Sequence, residues 1–141
     1  MKKIYTGGTF DLFHSGHVNF LRECKEIAGA GGKVIVALNT DEFVLDYKGA
    51  LPVCTEQERK IVLDACEYVD QVVYNTSGAD SKPTILSVKP NYIAIGSDWA
   101  MKDYHKQMGF NQHWLDEYDI GLIYIPYTRF ISTSDIKKRM Q

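Results

Sequence analysis

Two kinds of apolar patterning alternate along this chain. KKIYT (2–6), KVIVALN (33–39), DQVVY (70–74), NYIAIG (91–96) and GLIYIP (121–126) are short β-prone runs, and the most continuous of them predict strands covered on both faces. Between them the apolar residues recur at helical spacing. Val18, Phe20, Leu21, Cys24, Ile27 and Ala28 do so from Ser15 until GAGG (29–32) stops the helix. TDEF (40–43) opens a short helix, DYKGALP (46–52) reads as a loop of turn formers, and Thr55 is a candidate N-cap for EQERKIVLDACEYV (56–69). PTILSVK (83–89) looks helical with proline in its first turn, and residues 100–119 are polar and aromatic with one or two short helical pieces. ISTSDIKKRM (131–140) is a last helix whose basic residues suit the negative end of its dipole.

Strands of the buried type alternating with helices predict an α/β fold, a Rossmann-like, doubly wound, five-stranded parallel sheet in one domain over residues 1–141. The first forty residues form a βαβ unit, which is right-handed in almost all proteins. In such sheets ligands bind beyond the carboxyl ends of the strands, where the strand order reverses. Four stretches fall at that edge: GGTFDLFHSGH after the first strand, NTDEF after the second, GSDW after the fourth and PYTRFISTS after the fifth.

Composition narrows the chemistry by exclusion. The net charge of −2 and a pI near 6.1 give no general attraction to nucleic acid or to an anionic membrane, so any anion binding is local. No apolar run approaches a membrane span and no leader pattern opens the chain, which predicts a cytoplasmic protein. Cys24, Cys54 and Cys66 are odd in number, widely spaced and without a CxxC pair, the pattern of reduced thiols.

His14 and His17 stand three apart in the first helical turn, so both side chains can point the same way. A helix N-terminus carries unpaired N–H groups and partial positive charge, and Gly7, Gly8 and Gly16 allow close backbone approach, which together suit a phosphate. Zinc would need a third protein ligand, and His105 and His113 lie in a segment of another kind; a purely structural role for the pair is the remaining alternative. No G-x-S-x-G elbow supports a serine hydrolase. Ser132, Thr133 and Ser134 open the last helix and can hold phosphates, although Ser132 with Asp135 also fits a capping box.

GTFDLFHSGH resembles the GTFD and HxGH signatures of the nucleotidyltransferase superfamily. TDEF, the lysine and arginine of KGALPVCTEQERK, EYVDQVV, GSDW and ISTSDI follow in the order and spacing of the cytidylyltransferases, closest to the glycerol-3-phosphate cytidylyltransferase type. The resemblance covers nearly the whole chain. It implies the nucleotidyltransferase fold and transfer of CMP from CTP to a small phosphorylated alcohol, with pyrophosphate released. Alternatives are an adenylyltransferase of the same superfamily and a nucleotide-binding regulator that has lost catalysis.

By the same resemblance His14 and His17 contact the α-phosphate, and Gly8, Thr9, Phe10, Asp11 and Gly16 form the turn that passes the phosphates. Asp11 has the alternative of a plain turn residue. Lys48 lies near the phosphates and Arg59 reaches the acceptor phosphate, each with the alternative of solvated surface charge. Asp98 and Trp99 lie near nucleotide and acceptor, and Thr128, Ile131, Ser132, Thr133 and Ser134 hold the nucleotide. Magnesium bridges the triphosphate through nucleotide oxygens, since no carboxylate cage is visible. A homodimer meeting at EYVDQVV is implied by analogy alone.

Two departures stand out. Tyr127 replaces an arginine of the type and Phe130 a glycine, with Arg129 two residues past Tyr127 as the candidate substitute; a phenol does not replace a guanidinium fork. The segment after Trp99 is longer than in the type. Its Lys102, Tyr104 and Lys106, with Tyr127, are candidate acceptor contacts, against the alternative of a surface helical hairpin.

Overall fold

The computed structural model describes residues 2–96, 108–126, 128, 129 and 131–141. Five strands, β1 (Lys3–Gly8), β2 (Lys33–Asn39), β3 (Gln71–Asn75), β4 (Tyr92–Gly96) and β5 (Gly121–Ile125), form one parallel sheet in the order β3-β2-β1-β4-β5. The chain runs outward from β1 to β3, returns to the centre at β4 and continues to β5. The strand order therefore reverses between β1 and β4. Val34 to Leu38 of β2 are all buried, as a central strand covered on both faces requires.

The described helices are α1 (Ser15–Ala28), α2 (Asp41–Lys48), α3 (Glu56–Asp64), α4 (Lys82–Val88), α5 (Gln112–Glu117) and α6 (Thr133–Arg139). α1 buries Leu21, Cys24 and Ala28, three and four apart, against the core that Ile4, Val34 and Val36 form on one sheet face. Ile85, Val88 and Leu115 cover the opposite face together with Tyr5 and Ile93. Among the described residues no helix is long and apolar enough to cross a membrane.

Two boundaries differ from the sequence pattern. α2 continues through Lys48 into what reads as a loop, because Gly49 takes a left-handed φ of 77° and its N–H closes the helix on the Leu45 carbonyl. α3 stops at Asp64, although helical spacing extends to Val69; Cys66, Tyr68 and Val69 still pack on the core, from the connection to β3. Its start holds: the Thr55 hydroxyl accepts from Glu58 N–H, and the Glu58 carboxylate accepts from Thr55 N–H.

Candidate active site

The carboxyl ends of the strands open into a cavity of about 480 Å³. Strand order divides its wall into two limbs either side of the β1 turn. On the β4/β5 side stand Gly96, Pro126, Thr128, Ile131, Ser132 and Lys137; on the β2/β3 side stand Asn39, Phe43, Tyr47, Lys48, Leu51 and Asn75. His14 and His17 sit between them at the start of α1.

The two histidines close the N-terminus of α1 reciprocally. Nδ1 of His14 accepts the Gly16 N–H at 3.0 Å, and Nδ1 of His17 accepts the His14 N–H at 3.1 Å. A ring nitrogen that accepts an N–H carries no proton, so in the neutral form both rings hold their proton on Nε2. Burial lowers the pKa of His14, helped by the Arg139 charge. Burial likewise lowers that of His17, to about 4, helped by His14 and opposed by Asp11. At neutral pH the pair therefore offers two neutral Nε2–H donors, with ring centroids 3.8 Å apart. Gly16 is required by the same arrangement: a Cβ there would lie 2.8 Å from Cε1 of His14.

The turn before the histidines is held under strain. Phe10 and Leu12 have φ of 52° and 51°, which costs side-chain-bearing residues about 1–2 kcal/mol each. Asp11 fixes this turn. Its Oδ1 accepts from Leu12 and Cys54 N–H and its Oδ2 from Val53 N–H, while its carbonyl accepts the Thr133 hydroxyl. The carboxylate expected at the nucleotide is thus directed into loop 49–55, and the alternative of a turn-organising residue describes it.

Arg59, expected at the acceptor phosphate, is buried and bonded within the protein. Its side chain is only 1% exposed and donates to the carbonyls of Cys54, Thr9 and Asn39 and to Oδ1 of Asp41. It does not line the cavity. Four of its five N–H donors are taken by protein acceptors from three separated segments, so the side chain ties the β1 turn to the end of β2 and the start of α2.

Gly8, Thr9, Phe10, Asp11, Gly16, Lys48, Thr128, Ile131, Ser132 and Thr133 line the cavity alongside the histidines. Oγ of Ser132 accepts the Asp135 N–H, which leaves the hydroxyl proton available for a phosphate; the Thr133 hydroxyl is already donated to Asp11. Ser134 and Arg129 are exposed and outside the lining. Asp98, Trp99, Lys102, Tyr104, Lys106 and Tyr127 lie outside the described residues.

Lys137 and the Arg139 charge were not expected here, having read as helix-dipole partners. The spacing carried a signal, since Lys137 stands four residues after Thr133 on the same face. Asn19 carries no such signal in its spacing; its amide donates to Thr128 and fixes the β5–α6 connection to α1. Among the described residues no group of three or more His, Cys, Asp or Glu could hold a metal ion. The Asp11 carboxylate is occupied by backbone N–H groups of Leu12, Val53 and Cys54.

The cytidylyltransferase-like family model matches residues 5–139. Glycerol-3-phosphate cytidylyltransferase of Bacillus subtilis is 33% identical over 141 residues, covering 99% of this chain and 98% of that protein. The FAD synthase of Pyrococcus horikoshii is 41% identical over 96 residues, 68% of this chain and 63% of its own. Among solved structures, a lipopolysaccharide core biosynthesis protein from Thermoplasma volcanium superposes with a TM-score of 0.69 over 93% of this chain and 99% of that one, at 23% identity, which establishes the likeness of fold.

Proposed function

The chain belongs to the cytidylyltransferase-like family and is a nucleotidyltransferase; from that premise we propose that it transfers CMP from CTP to the phosphate of a phosphorylated alcohol and releases pyrophosphate. The observation that carries this is the reciprocal histidine cap, which turns two neutral Nε2–H donors away from the helix backbone at a cavity whose neighbouring wall carries a helix start and Lys137.

An acceptor phosphate is largely dianionic at neutral pH, since its second pKa is about 6, so its oxygen attacks without a general base. That oxygen bonds to the α-phosphorus, the α–β bridging bond breaks, and its electron pair leaves on pyrophosphate. Charge on the α-phosphoryl oxygens grows along this path, and His14 and His17 donate to them from fixed positions. Neutral rings suit the task, which asks for donors and not for bases. Lys137, and the hydroxyl proton of Ser132, face the leaving phosphates, and magnesium accompanies them on nucleotide oxygens. Subunits pairing through segment 67–73 belong to the same proposal; Ile61 and Val62, exposed on α3, lie just before it.

Identity to an FAD synthase supports a second reading, adenylyl transfer from ATP to flavin mononucleotide. Pyrophosphate release measured with CTP and with ATP, against polyol, sugar and amino-alcohol phosphates and flavin mononucleotide, separates the two. Turnover with CTP supports the first, turnover with ATP alone the second, and no pyrophosphate from any pairing overturns both.

A further inference from the structure

The β2/β3 limb has a chemistry of its own. Phe43 and Tyr47, one turn apart on α2, stack with centroids 5.5 Å apart and planes within 11°. Leu51 and Pro52 continue the apolar wall, and Met108 adds to it beside the segment that contains β3 and α4. Tyr47 is 48% and Leu51 62% exposed, a large apolar surface left at the rim of a cavity.

The polar groups of this limb close on one another. The Asn39 amide donates to Thr9 and accepts from Asn75; the Asn75 amide also donates to the Gly78 carbonyl and accepts from Thr84. The Ser81 hydroxyl is donated to the Met108 carbonyl. Among the described residues the free charge here is Lys48, whose ammonium stands 5.7 Å from the centre of the Tyr47 ring. A polyol presents several hydroxyls that need partners, and with the Asn39 and Asn75 carbonyl oxygens and the Ser81 hydroxyl proton already engaged this limb offers it few.

We propose that the β2/β3 limb takes an acceptor phosphate monoester whose organic body is flat and apolar, laid on the Phe43–Tyr47 shelf with its phosphate toward Lys48. This rests on the nucleotidyl-transfer reading for the direction of the phosphate, and it narrows the small polyol expected from the sequence to an alcohol carrying an apolar or aromatic group.

Calorimetric titration with 1-naphthyl phosphate and with glycerol 3-phosphate tests the shelf apart from turnover. The expected result is at least about tenfold tighter binding of the naphthyl ester, with Tyr47→Ala, at an exposed position, removing most of that preference and leaving CTP affinity unchanged. Equal or weaker binding of the naphthyl ester overturns the proposal, as does a Tyr47→Ala protein that keeps the preference or loses CTP affinity in parallel. If the naphthyl preference stands and no nucleotide yields pyrophosphate, the shelf is retained and the function proposed above is what fails.

Discussion

The α1 side and the α2 side of the cavity hold polar residues in opposite ways. At α1 each histidine uses one ring nitrogen on the helix backbone and keeps the other for a ligand; on the α2 side the asparagines and Thr84 use one another, Ser81 donates to the Met108 carbonyl, and aromatic surface is left exposed. The contrast teaches how one cavity can read two parts of a reaction. Open donors fixed by backbone suit charge that develops in a transition state, whereas a closed polar network behind aromatic rings selects shape and apolar area.

The strongest way to break this contrast is to remove an open donor. His14→Ala and His17→Ala are each expected to lower kcat for pyrophosphate release by about 10²–10³-fold. The accompanying loss of helix capping amounts to about 1 kcal/mol in urea unfolding. A large stability loss with little change in kcat would make the pair a structural cap only.

Arg59 tests the closed side. Arg59→Ala leaves three carbonyls and Asp41 without their partner and is expected to lower unfolding free energy by about 3 kcal/mol, the low end for a buried ion pair because Asp41 keeps some solvent contact. An unchanged urea midpoint together with a raised KM for the acceptor would return Arg59 to the phosphate-contact role.

The pH dependence of stability sharpens the open side. The folded pKa of His17, about 4, lies below its ordinary value near 6.5, so the unfolded chain binds the proton more readily and stability falls as pH drops from 6.5 toward 4. His17 contributes up to about 3 kcal/mol to that fall, to be read as the difference between the pH profiles of wild type and His17→Ala.

The smallest effect belongs to Tyr5. Its hydroxyl is the one buried side-chain polar atom without a partner among the described residues, and burial pushes its pKa up. Tyr5→Phe is expected to raise the urea midpoint by the equivalent of about 1 kcal/mol. A fall of similar size would reveal a partner for that hydroxyl in solution.

The fold was legible where local pattern and packing agree. The bounds of α1 follow from apolar spacing ahead of GAGG, where a Cβ on Gly32 would lie 2.1 Å from the Ala28 carbonyl oxygen. The histidine pair was legible because its spacing and its glycine are local. Arg59 and Asp11 were not, since what engages them comes from residues far apart in the chain: Thr9 and Asn39 for Arg59, Val53 and Cys54 for Asp11. A charged side chain in a polar stretch reads the same whether it faces solvent, substrate or backbone carbonyls. The aromatic shelf was hidden for a related reason: DYKGALP carries turn formers, and α2 runs through its first half only because Gly49 adopts a left-handed conformation beyond Lys48.

The reciprocal cap holds both histidines as neutral Nε2–H donors, a state that ¹⁵N–¹H correlation spectra of the histidine rings read out. At pH 7 both rings are expected to show an unprotonated Nδ1 and a protonated Nε2, with the Nε2–H signals of His14 and His17 moving when CTP is added. Nδ1–H tautomers, imidazolium rings at pH 7, or Nε2–H signals indifferent to every nucleotide would contradict it.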